Sequence, residues 1–495
     1  MSFLVTRGLG LGANNFIASG GLGIGVAAST HTFDLATHWT DGTVILNLVN
    51  WFGIPSTDST PGLDETYANW QSLSSPAWVV ADIANYPVKP YLSRDASLCR
   101  AYGGGQYRDI SARYRPLIGL YSSSGREAES LAVIDLTLQA VRSGADPRAR
   151  VDVISTFVKY LGGTSYAGLD NGEDGYISGE DVQYRAYRAL LARAEAAGMT
   201  NCISFQYGNS AQWEAWHPEF TTRAQRLSSV AQDLADYATI AQASTAAWKI
   251  NGLVVVDIWP GAAPAMTDAE WADAIADART LSGLDMYVLA YRKTGASFAW
   301  ADALHPWISY TEWASTTGAT DEAHAAAWKV ASEADLVLEL PNYAGRVMLT
   351  CISGGFDDWS KHNGAGTERR IPRTEPIIKG QFTGGSASAT GYYIATWDDI
   401  GEGQHFQPSV NEDGAMLRYL TEQLGAALSE VVDGDETQAL LNRWINYPKL
   451  RPCATVARGS GRAHHFAART HHATSAPNRG THGGGSRSFY IRSNA

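Results

Sequence analysis

The run Tyr392-Tyr393-Ile394-Ala395-Thr396-Trp397-Asp398-Asp399-Ile400-Gly401-Glu402-Gly403-Gln404-His405-Phe406 begins as a short apolar, aromatic strand. Within a few residues it delivers three carboxylates, two glycines and a histidine. A core strand cannot bury acids unpaired, so this profile suits a strand that carries them to the mouth of a pocket. Paired carboxylates beside an aromatic ring are the equipment of general acid–base catalysis, because burial beside the ring pushes their proton affinities apart. Asp399 and Glu402, three apart on a turning loop, are the candidate catalytic pair. Trp397, Asp398 and His405 are candidates for shaping the pocket around them, although Asp398 could equally hydrogen-bond within the fold.

Other polar and aromatic residues recur at the ends of apolar runs. Trp51, Tyr160, Tyr207, Trp259, Tyr291, Glu312, Asp357 and Asp358 each stand at or just after such an end. Strand ends meet solvent and are polar in any case, which accounts for a lysine such as Lys293 but less well for recurrent Trp and Tyr. Acids in a cleft lined by aromatic rings suit glycosidic cleavage, in which one group protonates the leaving oxygen and a second activates water or assists.

The elements that must position these residues alternate. Runs rich in Val, Ile and Leu at 43–52, 151–160, 202–207, 252–259, 286–292, 307–313, 346–353 and 392–397 read as eight strands. Helical spacing follows at 128–143, 180–197, 223–249, 268–281, 321–334 and 412–428, with Thr267 or Asp268 as a capping signal. Non-alternating apolar strands suit a parallel sheet covered on both faces. Eight such units predict an α/β fold, a (β/α)₈ TIM barrel with long loops, whose active site lies at the C-terminal strand ends. An open doubly wound sheet is the rival architecture.

Composition agrees with a large folded body. The chain has 495 residues, is 45% hydrophobic and 11% aromatic, and carries a net charge of −12, which argues against a nucleic-acid groove. No apolar run is long enough to span a membrane. The cysteines Cys99, Cys202, Cys351 and Cys453 are scattered, with no metal-ligand spacing, and Cys202 and Cys351 read as buried thiols. Residues 1–40 form a Gly-rich segment, 41–430 the barrel, 431–450 a C-terminal helix and 451–495 a disordered basic tail. That tail holds seven Arg and five His but no Lys and no acid.

Three segments carry a family resemblance. Thr396-Trp397-Asp398-Asp399-Ile400-Gly401-Glu402 resembles the end of the last barrel strand in glycoside hydrolase families 71 and 99, with Asp398 where Asn is usual. Arg115-Pro116-Leu117-Ile118-Gly119-Leu120-Tyr121 and Ile352-Ser353-Gly354-Gly355-Phe356-Asp357-Asp358 are similar to two further segments of these relatives, with Gly354 in place of Pro. The resemblance implies an endo-acting hydrolase of α-linked glucans or mannans, with Asp399 as base or assisting group and Glu402 as acid/base. It requires no cofactor, and the partner it implies is a polysaccharide or cell-surface glycan. Residues 4–23 resemble segments of tailed-phage structural proteins, which implies an extracellular or virion-associated location with other virion proteins as neighbours. Glycines interrupt any secretory signal there. The rival to an enzyme is a non-catalytic carbohydrate-binding or structural barrel of a phage particle.

One metal site is suggested. Asp170, Asp174 and Asp181 fall at positions 1, 5 and 12 of an EF-hand-like loop with Gly175 at position 6, which would take Ca²⁺. Position 3 is Gly172 and position 12 is not Glu, so a Gly/Asp turn capping the following helix is the competing reading.

Overall fold

The computed structural model describes residues 43–49, 116, most of 131–138, 151–158, 178–206, 221–260, 266–291, 300–342, 346–357, 369–409, 412 and 414–427. Eight parallel strands form its centre: β1 (Thr43–Val49), β2 (Val153–Val158), β3 (Thr200–Gln206), β4 (Leu253–Trp259), β5 (Met286–Tyr291), β6 (Ala303–His305), β7 (Val347–Ser353) and β8 (Gly391–Ala395). Each pairs with its neighbour in chain order, and β1 pairs with β8, with Ile45 opposite Tyr393. The β3–β4 pairing, with Ile203 opposite Val256, completes the circle. The sheet is a closed barrel rather than an open doubly wound sheet.

Every residue of β1 and β7 is buried, as both faces of a barrel strand are covered. Alternate residues divide between two cores. Ile45, Val153, Cys202, Val255, Leu289, Leu349 and Tyr393 fill the barrel, while Val44, Leu46, Ile154, Ile203, Val256 and Ile394 meet the surrounding helices. Cys202 and Cys351 are buried free thiols, and burial first of all pushes both up.

The helices are α1 (Ser178–Ala197), α2 (Arg223–Ala243), α3 (Asp268–Ser282), α4 (Tyr310–Ser315), α5 (Asp321–Glu339), α6 (Glu375–Gly384) and α7 (Ala415–Ala427). Local chemistry sets their ends. Thr222 with Gln225, and Thr267 with Glu270, form capping boxes at α2 and α3. Gly283 stops α3 at a φ of 67°, a conformation that suits glycine. Among the described residues no helix is long and apolar enough to cross a membrane.

Two sequence expectations change, and one helix is added. The sixth strand is Ala303–His305, not 307–313. Pro306 has no N–H to continue the ladder, and the aromatic run after it becomes α4, tied by the Trp313 N–H to the Ser309 carbonyl at 3.2 Å. The long helix expected over 223–249 ends at Ala243, and Lys249–Ile250 instead pairs antiparallel with the start of β4. Helix α6, which begins after Thr374 with Pro376 in its first turn, carries no expectation from sequence.

Candidate active site

Beyond Ala395 the chain leaves the barrel and folds back on itself. Thr396 N–H donates to the Gln404 carbonyl at 3.0 Å, Gln404 N–H to the Asp399 carbonyl at 3.2 Å, and Phe406 N–H to the Thr396 carbonyl at 3.0 Å. Inside this loop Ile400–Glu402 forms a single 3₁₀ turn, capped by Asp399 and stopped by Gly403 at a φ of 63°. The peptide bond Ala395–Thr396 is cis.

The loop brings the two candidate catalytic acids together. Asp399 Oδ1 accepts the Glu402 N–H at 3.2 Å, and Asp399 Oδ2 accepts the Gln404 Nε2 amide at 2.6 Å. The same Nε2 donates to Glu402 Oε2 at 2.9 Å. The two carboxylate oxygens that share this nitrogen are therefore roughly 5.5 Å apart at most, the sum of the two hydrogen bonds. Asp399 is 3% exposed and its two N–H donors suit an ionised carboxylate, whereas Glu402 is half-buried. Gln404, which the sequence did not single out, is therefore the residue that joins them.

The neighbouring candidates lie deeper. Asp398 is 2% exposed, and its Oδ1 accepts the Val49 N–H at 2.6 Å, fastening the end of β1 to the loop. Trp397 is 1% exposed and packs in the core between strands and helices with Ile400 and Phe406, and its N–H donates to the Asn47 carbonyl at 2.7 Å. His405 is fully buried. Burial first, and the Arg373 charge second, push it well below the ordinary histidine range.

Arg373 is a second residue that sequence reasoning missed. Its Nε and Nη2 grip the two oxygens of Glu412 at 2.6 and 2.7 Å. Nη2 also donates to the His405 carbonyl at 2.8 Å, and Nη1 to the carbonyls of Gly354, at 3.0 Å, and Gly403. One guanidinium thus locks the loop after β7 to the loop after β8. Gly354 sits so close to the His405 carbonyl that a Cβ there would collide with it. Asp357 is buried next to this clamp on a short ladder, Phe356–Asp357 against Arg370–Ile371, with Arg370 Nε 3.8 Å from its Oδ2.

Below the mouth lies a buried polar layer. Asp257 Oδ2 accepts Ser155 Oγ at 3.0 Å and Tyr393 Oη at 2.6 Å, and Asp257 Oδ1 meets His305 Nε2 at 2.9 Å. His305 Nδ1 faces the Pro306 carbonyl at 2.9 Å, so both ring nitrogens face an oxygen acceptor. The imidazole stacks on Tyr393 at 3.8 Å, and Asn47 Nδ2 donates to Tyr393 Oη at 3.0 Å. Burial first, then Asp257, push the Tyr393 phenol well up, which keeps it a donor.

Above this layer Trp259 and Tyr291 end β4 and β5 and stack on each other, and Glu312 stands on α4 rather than at a strand end. Trp51, Tyr160, Tyr207, Asp358, Asp170 and Asp174 lie outside the described residues, and Asp181 falls on α1. Among the described residues no group of three or more His, Cys, Asp or Glu could hold a metal ion.

No protein-family model matches the chain, and no curated protein does. Solved structures similar to it include the GH99 endo-α-mannosidase from Bacteroides thetaiotaomicron, 16% identical with a TM-score of 0.47 over 79% of this chain and 99% of that one. A glycoside hydrolase-like protein is 11% identical with a TM-score of 0.45, over 63% of this chain and 89% of that one. A family 5 glycoside hydrolase from Streptomyces cattleya is 11% identical with a TM-score of 0.40, over 67% and 86%. Likenesses this distant transfer no residue roles, and the barrel assignment rests on the strand pairing itself.

Proposed function

We propose that this chain is a glycoside hydrolase that cleaves an α-linked polysaccharide of mannan or glucan type, with Asp399 and Glu402 as its carboxylate pair. The observation that carries the reading is the Gln404 amide shared between Asp399 Oδ2 and Glu402 Oε2 at the C-terminal end of β8. Glu402, the more accessible acid, gives its proton to the glycosidic oxygen as the bond to the anomeric carbon breaks. Asp399, held ionised by two N–H donors, supplies the electron pair that balances the positive charge developing there. It does so by bonding to the anomeric carbon, a bond that water then breaks. Water then completes the cycle, and Glu402 recovers its proton from it. The close spacing of the pair favours retention of anomeric configuration.

Digestion of a panel of α-mannans and α-glucans, with product analysis, tests the proposal. We expect turnover by the wild type and a loss of at least about a thousandfold in both Asp399→Asn and Glu402→Gln. Glycan binding without cleavage, unchanged in both variants, would replace the enzyme with a carbohydrate-binding barrel.

A further inference from the structure

Gln404 is 1% exposed, and its side-chain amide is turned toward the two candidate acids. Its backbone is fixed from several sides. Gln404 N–H donates to the Asp399 carbonyl at 3.2 Å, and the Gln404 carbonyl accepts the Thr396 N–H at 3.0 Å. On either side of it in the chain, the carbonyls of Gly403 and His405 both accept from Arg373, whose guanidinium is anchored in turn by the two oxygens of Glu412. Gly403, left-handed at a φ of 63°, turns the chain between Glu402 and Gln404 so that side chains two residues apart meet at one point.

The amide joins two acids through one atom. Nε2 carries two hydrogens and lies 2.6 Å from Asp399 Oδ2 and 2.9 Å from Glu402 Oε2, so each acid receives one of them. The partners dictate this orientation, because the reversed amide would set Oε1 against two carboxylate oxygens. The orientation has a cost. Oε1 is left buried with no hydrogen-bond partner among the described residues. An amide kept for stability alone would pair both of its ends, whereas this one pairs the end that meets the acids. Two neighbouring acids otherwise share one proton. With an N–H on each of these two oxygens, no proton bridges them.

We propose that Gln404 is a positioning residue, which holds Asp399 and Glu402 in one fixed relation so that both reach the same glycosidic bond. It acts through the two carboxylates, not on the sugar. Reacting groups held in register contribute a large share of catalysis, and a small misplacement forfeits much of it. This rests on the reading of the pair as catalytic, and it adds that their mutual placement, not their presence alone, sets the rate of bond cleavage.

Two measurements on the full chain test this, the first without turnover. In protein labelled with heavy nitrogen on glutamine, NMR shows the two hydrogens of the Gln404 amide as a pair of signals, identified by its loss in Gln404→Met. Both should be deshielded and slow to exchange, as hydrogens donated to buried carboxylates are. Asp399→Asn should shift mainly one of them and Glu402→Gln mainly the other. A pair that ignores either substitution overturns the bridge and the role with it. Kinetics follow, on the glycan that the wild type cleaves, at a temperature where every variant is folded. Gln404→Met, similar in length but without the donors, should lower kcat about a hundredfold and leave KM within about twofold. Gln404→Asn, which keeps the amide but falls a methylene short of reaching both acids, should not restore the rate. A wild-type kcat in either variant, or a loss confined to KM, overturns the positioning role and leaves the hydrolase standing where Asp399→Asn and Glu402→Gln are inactive. No cleavage of any glycan by the wild type removes the hydrolase and the positioning role together, even where NMR shows the bridge.

Discussion

Gln404 and Arg373 show what a residue's type discloses and what it conceals. Asp399 and Glu402 were legible because acids that follow an apolar strand must find partners. Gln404 was not, since an amide two residues further along gains its meaning only when the loop folds back and presents one nitrogen to both acids. Arg373 lies far from the loop in sequence and joins it only through space. His405, read as a pocket residue, is a buried ring beside that guanidinium. Arg373 Nη2 is 3.4 Å from its Nε2, and a guanidinium only donates, so the imidazole is held neutral. In the unfolded chain a histidine takes up a proton near pH ~6.5. Below that value the unfolded state binds a proton the folded state refuses, so stability falls as pH drops, and above it the ring contributes nothing to the slope. Thermal unfolding from neutral pH down to about pH 5 should therefore show a steeper decline in the wild type than in His405→Gln. Parallel curves would mean that His405 is not held neutral.

At the scale of elements, periodicity located seven of the eight strands and the helices α1, α2, α3, α5 and α7, but not α4 or α6. The run after Pro306 has strand-like residue types, yet Trp313 packs edge-on against Trp328 of α5 at 5.6 Å, and that contact favours a helical turn. Helix α6 was missed although it supports the site. Gln381 on α6 accepts the Ser353 N–H and donates to the Ser353 carbonyl, both at 2.9 Å, holding the end of β7 where the loop to Asp357 begins. That position depends on close contact with α5. A Cβ at Gly380 would collide with the Glu322 carbonyl, and one at Gly384 with that of Ala326. Gly380→Ala should force the helices apart and destabilise the protein by about 1–3 kcal/mol, the usual cost of overpacking. Urea unfolding should show a lower midpoint with an unchanged slope. A midpoint equal to that of the wild type would show that the helices separate freely.

For the whole molecule, seven of the eight strands were readable because each is a short, non-alternating apolar run, whereas the sixth, Ala303–His305, was not. Closure was expected from the number of βα units, and it is made by the β3–β4 pairing and by what fills the inside. The filling is polar at one level. Asn47 on β1, Ser155 on β2, Asp257 on β4, His305 on β6 and Tyr393 on β8 form one hydrogen-bonded layer across the barrel. Asp257 is its centre, 1% exposed and accepting from three side chains. Its removal strands two hydroxyl donors and an imidazole in a dry interior. Asp257→Ala should therefore cost about 3–5 kcal/mol in urea unfolding, whereas Asp257→Asn, which keeps one acceptor oxygen, should cost less. If the layer acts as a unit, Asp257→Asn combined with His305→Gln should depart from additivity by about 1 kcal/mol or more. The same change paired with Gly380→Ala, outside the layer, should be additive within about 0.5 kcal/mol. Additivity in both cycles would reduce the layer to separate hydrogen bonds, with strand pairing and apolar packing alone holding the barrel closed beneath the carboxylate pair.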